Sequence, residues 1–425
     1  MRSTVSIPDL SVLRGPIETI DEELEVAMTS RNSKFHHSKT TRTQKKLYSF
    51  EKIIILITSP DTDQEDILVI LTTYRLFCGP SDLLSALSTR ILDNANTVIH
   101  LRCIIVLRNW IDNHWSDFSK DLSSLMPQFE ELSAQWIKKY PKLLKDVFNI
   151  FERIEKNSLA KTYLKNVVAF PPPSIEPIKH GKLCLMDMDS LEVARQITLI
   201  EHNMYRDVKP WECLGLPWTK TEKDKLAPNL SKTIKWFNTV TYWVQTEVLT
   251  EVKNKQRAAK IAKFLEICEH LLNLQNLNGV VEIMSAFGTP SMARLQATIN
   301  SLPVSISSKI TKFNQFISPD NSFKAVREHT AHIIPPCIPY IGSYLAKLKK
   351  LEEGNQTCLG GAIHLKKLKL VALTIQELLQ FQGYTYPFAT VKRIQEYLKS
   401  YEAISEESVL YQFSTFVEPS ERSEK

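Results

Sequence analysis

The sequence predicts an all-α protein with more than one domain, on three observations. Glycine is scarce, 11 in 425 residues, which suits helices joined by short turns. Long segments repeat their apolar residues at three-and-four spacing, the period of a buried helix face, rather than at the period of two expected of strands. And 425 residues exceed what one core comfortably serves, so two or three domains are expected. The 43% hydrophobic and 24% charged content is that of an ordinary globular chain. Aliphatic runs such as Ile53 to Ile57 fall far short of a bilayer span. Pro8 and Asp9 interrupt the start too early for a secretory signal, which predicts synthesis in the cytoplasm. Seven cysteines without a CxxC pair read as reduced thiols, and His329 with His332 lacks further metal ligands in reach, so neither metal nor cofactor is expected. The net charge of +6 neither demands nor excludes a polyanionic partner.

The elements follow in order. Leu13-Arg14-Gly15-Pro16 marks a turn, and a helix is expected through Glu23 to Met28. A basic polar insertion, 29–46, carries Arg31, Lys34, Lys39 and Arg42. It reads first as a solvated loop, and second as a contact with an anionic membrane or a phosphorylated segment. Ile67 to Phe77 is helical, Cys78-Gly79-Pro80-Ser81 breaks it, and Asp82 to Ile91 forms a second helix whose start Ser81-Asp82 suits. The third helix, Val98 to His114, turns Leu101, Ile104, Ile105 and Leu107 to Trp110 inward. A connecting helical region begins near Pro141, with Leu143, Leu144, Val147, Phe148, Phe151 and Ile154 as its stripe. Phe170-Pro171-Pro172-Pro173-Ser174 cannot be helical and marks the linker. Beyond it, Val193, Ile197, Ile200 and Met204 form one face of a helix that ends before Pro210.

In that helix Ala194-Arg195-Gln196-Ile197-Thr198-Leu199-Ile200-Glu201, leading into Pro210-Trp211-Glu212-Cys213-Leu214-Gly215, resembles the opening of the catalytic domain of Ras-type guanine-nucleotide exchange factors. Further strings in the family's order extend the resemblance: Phe237 to Val244, Asn276-Leu277-Asn278-Gly279-Val280, Pro335-Pro336-Cys337-Ile338-Pro339-Tyr340 and Leu351-Glu352-Glu353-Gly354-Asn355. The segment from Leu71-Thr72-Thr73-Tyr74-Arg75 to Trp110-Ile111 is similar to the Ras exchanger motif that precedes that domain. The implied organisation is a helical exchanger-motif domain over 1–140, a connecting helix and Pro-rich linker over 141–180, a helical catalytic domain with a protruding hairpin over 181–402, and a Ser/Glu-rich tail over 403–425. That tail reads as disordered or docked peptide, with an export signal of an intracellular bacterium as a second reading.

The hairpin is legible in the residues themselves. Ile306, Ile310, Phe313 and Ile317 lie at helical spacing, Ser318-Pro319-Asp320-Asn321 breaks the chain, and a second helix runs from Ser322 to Pro335. The resemblance implies that this element inserts against the nucleotide site of a small GTPase of Ras, Rap or Ral type. It implies Ile310 as the apolar wedge near the metal and Asn314 as the polar group, with Arg195, Leu199, Met292, Arg294, Phe313 and Ile317 in the GTPase interface. The hairpin departs from the family in carrying Lys309 and Lys312 and no carboxylate before Asp320, which bears on the rate of exchange. Lys366, Lys367 and Lys369 read as a basic exposed edge, solvated or set against anionic lipid. No phosphate loop, nucleophile elbow or metal cluster supports covalent chemistry, and nucleic acid is not an expected partner. The expected activity is stimulation of GDP release and GTP loading; the alternative is a GTPase-binding adaptor with weak exchange.

Overall fold

The computed structural model describes residues 47–159, 183–320, 323–354 and 356–419. The readings made for 1–46, for the Pro-rich linker and for the end of the tail lie outside the described residues. An all-α architecture is what they adopt, with one small sheet.

The first group of helices is α1 (Phe50–Ile57), α2 (Gln64–Thr73), α3 (Pro80–Leu92), α4 (Thr97–Asn113), α5 (Trp115–Lys120), α6 (Leu122–Lys139) and α7 (Leu144–Leu159). Their boundaries follow local chemistry. Asp82 accepts a hydrogen bond from the Gly79 amide at 2.8 Å at the head of α3, and Asn96 accepts one from the Val98 amide at 2.9 Å at the head of α4. Trp110, Trp136 and Phe129 sit among Ile, Leu and Val in the core of this group. Two expected stripes run wider in the sequence than in the fold: Leu101 on α4, and Leu144 and Phe148 on α7, face out, the last 61% exposed. Helix α7 packs through one narrow face, Val147, Ile150 and Ile154, so its flanking apolar residues stay in water.

The second group is α8 (Ser190–Asp207), α9 (Lys223–Leu226), α10 (Pro228–Leu249), α11 (Asn254–Asn273), α12 (Leu277–Phe287), α13 (Pro290–Ala293), α14 (Gln296–Asn300), α15 (Val304–Phe316), α16 (Lys324–Ala331), α17 (Ile341–Gly354), α18 (Leu365–Leu379), α19 (Lys392–Ser400) and α20 (Glu407–Val417). Helices α8, α10, α11 and α12 enclose the main core, which holds Ile197, Trp243, Phe264 and Met284. Helix α8 is buried around most of its circumference, including Glu192, Gln196, Glu201 and His202.

Helix α18 joins the two groups. Leu368 and Ala372 enter the first core, while Val371, Ile375 and Leu378 enter a core shared with α17. Just before it the chain makes β3 (Ala362–His364). This strand pairs with β1 (Leu47–Tyr48) on one side and β2 (Cys358–Leu359) on the other, both antiparallel, with Leu47 opposite His364 and Cys358 opposite Ile363. Gly360 and Gly361, at φ 56° and 79°, make the tight β2–β3 turn that holds the chain extended there. The expected basic edge of α18 is corrected here. The Lys367 ammonium is 1% exposed and donates to Glu352 at 2.5 Å and Thr357 at 2.8 Å, and Lys369 pairs with Asp66 of α2 at 2.7 Å. Only Lys366 of the three is exposed. A lysine on a helix buried on two sides finds a carboxylate because leaving it unpaired would cost several kcal/mol.

The tail resolves toward docked rather than disordered. Helix α20 lies along α13 and α10, with Leu410 and Ser414 fully buried.

Candidate functional site

Helices α15 and α16 form the hairpin that the proline and turn residues predict. Helix α15 has 13 residues and so runs roughly 20 Å. Its apolar stripe turns inward: Phe313 is 6% exposed within the main core, and Ile306, Ile310 and Ile317 pack partly buried against it. Lys309 reaches Glu269 of α11 at 2.7 Å. The outward face is polar, with Thr311, Lys312, Asn314 and Gln315 exposed. Helix α16 seats Val326 and Thr330 and leaves Lys324, Ala325 and Glu328 outside.

The foot of the hairpin is a small core of its own, in which Phe323, Val326 and Tyr340 meet Leu277 and Val281 of α12. Phe323 adopts φ 61° to turn the chain into α16, and its ring meets Tyr340 edge-on with centroids 4.9 Å apart. His329 joins three elements, its ring 5.5 Å from Phe316 of α15 and its Nε2 3.3 Å from the Gln275 side chain. Gln275, at φ 59°, makes the sharp turn between α11 and α12, where its carbonyl accepts from the Ile338 amide at 3.0 Å and the Leu277 amide donates to the Ile338 carbonyl at 2.9 Å. The Pro-Pro-Cys-Ile-Pro segment is therefore stitched to the Asn276 turn, and both hold the hairpin foot.

Behind the foot lies a buried polar cluster. Asn276 caps α12 by accepting from the Gly279 amide at 3.0 Å and donates to Thr198 at 3.2 Å, while Asn278 donates to Glu282 at 2.7 Å. Glu201 and Glu282 face each other here, and burial together with their mutual repulsion pushes Glu282 well above the usual carboxyl value. A shallow apolar cleft lined by Ile234, Phe237, Tyr340 and Leu345 opens nearby.

The candidate contact residues do not fall on one face. Asn314 is exposed, Ile310 and Ile317 are half-buried, and Phe313 is core. Met292 is 2% exposed inside the main core, and Leu199 packs partly buried beside α17 and α18. Arg195 lies over the Phe388 ring at 5.5 Å and reaches Glu192 at 3.3 Å, the intramolecular pairing that a surface arginine readily makes. Arg294 donates to the carbonyls of Ser414 at 2.5 Å and Glu418 at 2.9 Å, so it fastens the end of α20. Within the chain, Met292 and Phe313 fill the core and the Arg294 guanidinium satisfies carbonyls at a helix end. Thr311 and Gln315, beside Asn314, complete the face that is free. Their polar neighbours at helical spacing carried no distinguishing signal in the sequence.

Among the described residues no group of His, Cys, Asp and Glu is placed to hold a metal, and no helix is long and apolar enough to cross a membrane. Burial pushes the Cys103 and Cys337 thiols up to about 12, far from thiolate nucleophiles.

Comparison with known proteins finds two family matches in chain order. Residues 44–132 match the RasGEF N-terminal motif and residues 192–369 match the RasGEF domain. Protein son of sevenless of Drosophila melanogaster is 31% identical over 82% of this chain and 25% of its own length. Ras guanine nucleotide exchange factors Y and A of Dictyostelium discoideum are 33% and 30% identical, over 77% and 83% of this chain and 22% and 60% of their own lengths. The chain thus spans between about a fifth and three-fifths of these relatives.

Proposed function

We propose that this chain, which belongs to the RasGEF family and carries its N-terminal motif and RasGEF domain in order, stimulates guanine-nucleotide exchange on a Ras-like small GTPase of Ras, Rap or Ral type. The observation that supports the reading most is the hairpin: a helix braced on its apolar side, footed in its own core, and free along one polar face.

A GTPase holds its nucleotide through a phosphate-cradling loop, a lysine and Mg²⁺, all of which belong to the GTPase. A partner that favours the nucleotide-free form weakens nucleotide binding by the same factor, because coupling between two ligands is reciprocal. In this chain the hairpin supplies that preference by occupying the nucleotide and metal site, and Asn314 with its neighbours Thr311 and Gln315 is the surface that enters. Ile310 acts from behind, setting how far α15 stands out. The direction of exchange follows the nucleotide concentrations, and no covalent bond is made or broken.

The exposed Lys312 favours a second reading, a GTPase-binding adaptor with weak exchange, since a cation on the outer face attracts phosphates. The test is release of a fluorescent GDP analogue from a panel of Ras, Rap, Ral and Rho GTPases under excess unlabelled nucleotide. Thr311→Arg, which obstructs the outer face without touching the core, and Asn314→Ala are run beside wild type. Acceleration on a Ras-subfamily member that Thr311→Arg abolishes is expected. Binding of nucleotide-free GTPase without acceleration selects the adaptor, and neither binding nor release across the panel overturns both.

A further inference from the structure

Residues 403–419 do more than cover the main core. Ile404 donates its amide to Thr246 at 2.9 Å, Leu410 is fully buried, and Phe413 and Val417 pack against the core from α20. At the end of this strap Glu418 turns back. Its carboxylate accepts from the Ala297 amide at 2.5 Å, the Thr298 amide at 3.2 Å and the Thr298 hydroxyl at 2.9 Å, the first turn of α14. On its other side stands Arg257, 2% exposed, whose guanidinium lies 3.8 Å from Glu418 Oε2. Arg257 is itself fixed, donating to Thr298 Oγ1 at 3.0 Å and to the carbonyls of Glu251 and Val252 at 3.0 and 2.9 Å. Arg294, on the segment between α13 and α14, closes the circle by donating to the Ser414 and Glu418 carbonyls.

The position of this clasp is what gives it meaning. Helix α14 has five residues and is followed, after Leu302-Pro303, by α15. Gln296, Ala297 and Ser301 have little burial to hold them, whereas Thr298 is 0% exposed and is gripped by both Arg257 and Glu418. A charged carboxylate receiving two backbone amides of one turn both neutralises that turn's unmet donors and fixes its direction. The direction of α14 sets the point from which α15 departs.

We propose that Glu418 is a positioning residue for the hairpin: clamped between Arg257 and the first turn of α14, its carboxylate fixes the stem from which α15 springs. The proposal rests on the reading that the hairpin is the working element, and it adds a residue 49 positions beyond the matched RasGEF segment, counting from 369 to 418. Because α20 supplies the clasp, the C-terminal strap and the exchange face are mechanically linked through α14.

The experiment compares full-length wild type, Glu418→Ala, Glu418→Asp and Arg294→Ala by amide hydrogen exchange and by GDP-analogue release. In Glu418→Ala the amides of 297–298 and of α15 exchange about tenfold faster, the loss expected for removing hydrogen bonds to a charged acceptor, while α2 and α4 amides are unchanged. The maximal release rate falls, with the concentration of half-maximal effect less altered, because the partner still binds but the hairpin samples wrong orientations. Glu418→Asp restores part of both, and Arg294→Ala reproduces the loss without touching the carboxylate. Unchanged α15 protection in Glu418→Ala overturns the proposal, as does loosening spread equally over α2 and α4, which marks general destabilisation. If wild type releases nucleotide from no GTPase, the exchange reading fails, and the α15 protection still decides whether Glu418 sets the hairpin.

Discussion

Glu282→Gln separates a shared proton from a mere buried charge. Glu201 on α8 and Glu282 on α12 are 1% and 0% exposed. Each has one oxygen served by a neighbour, Trp236 Nε1 to Glu201 at 3.3 Å and Asn278 Nδ2 to Glu282 at 2.7 Å, and one oxygen that no other residue serves. A proton held by Glu282 and donated to Glu201 satisfies both. Burial raises both carboxyls, and repulsion from Glu201 lifts Glu282 further above the usual 4.5. The glutamine amide replaces that proton with a permanent N–H and keeps an acceptor for Asn278. One hydrogen bond to a charged group is exchanged for another, so stability near pH 7 changes by no more than about 1 kcal/mol. Glu282→Ala instead leaves the Asn278 donor unmet and takes away the group that serves the second oxygen of Glu201, at about 3–5 kcal/mol. The pH dependence carries the sign. A carboxyl whose folded value is raised binds its proton more tightly folded than unfolded, so its stabilisation is complete below 4.5 and is lost as pH rises through the folded value. Urea unfolding followed by tryptophan fluorescence between about pH 5 and 9 therefore shows a stability that falls with pH in wild type and falls less in Glu282→Gln. A glutamine variant as damaged as the alanine variant, or an undiminished fall, refutes the shared proton.

Four further outcomes are expected. His202, buried with Nε2 2.8 Å from the Tyr384 carbonyl, is held neutral by burial with its pKa lowered to about 4, so stability present above 6.5 is lost as pH falls. By pH 5 the loss is about 2 kcal/mol, and His202→Gln removes that slope in acid-side unfolding curves. Asp117, 5% exposed, accepts from Tyr74 at 2.7 Å and Trp110 at 3.1 Å and pairs with Arg75, so Asp117→Ala lowers the stability of the first core by about 3–5 kcal/mol in urea unfolding. Lys367→Met strands Glu352 and lowers the melting temperature, at a similar cost of about 3–5 kcal/mol, while adding Glu352→Met restores most of it. Lys312→Glu speeds nucleotide release, for the reason given last.

The helices were legible because their signal is local. Spacing of apolar residues, the Gly79-Pro80 break and the Ser318 to Asn321 turn specify α3 and the hairpin without tertiary knowledge. Which way a stripe points is a tertiary fact only in part: Ile306, Ile310, Phe313 and Ile317 must bury, and the fold buries them, so the partner-facing surface lies opposite. Polar burial was illegible for a different reason. Lys367 reads as an exposed cation until Glu352 and Thr357, 15 and 10 residues earlier, are brought beside it. Glu201, Glu192 and Gln196 likewise occupy what periodicity takes for the wet side of α8, and only the closure of α12 and the Ala389 to Val391 segment over them makes that side core. Arg294 reads as a surface residue because α20, which it clasps, lies 120 residues away in sequence.

The charge of the hairpin becomes less contrary to exchange once its lysines are placed. Lys309 faces α11 and is neutralised by Glu269 at 2.7 Å, so it presents little field outward. Lys312 is exposed, makes no ion pair among the described residues, and has Ser308, Lys309, Gln315 and Phe316 as its neighbours at helical spacing. On the outer face of an inserted hairpin it would hold the departing phosphates back. A unit charge about 8 Å from another in a medium of ε about 80 is worth about 0.5 kcal/mol, so reversing its sign shifts the balance by about 1 kcal/mol, roughly fivefold in rate. Release of the GDP analogue at low ionic strength is therefore expected to rise about fivefold in Lys312→Glu and the gain to shrink as salt is added. Lys309→Gln combined with Glu269→Gln leaves the low-salt rate near that of wild type, since the pair they remove together is neutral. A Lys312→Glu rate equal to wild type at every salt concentration would remove the outer face of α15 from the neighbourhood of the nucleotide.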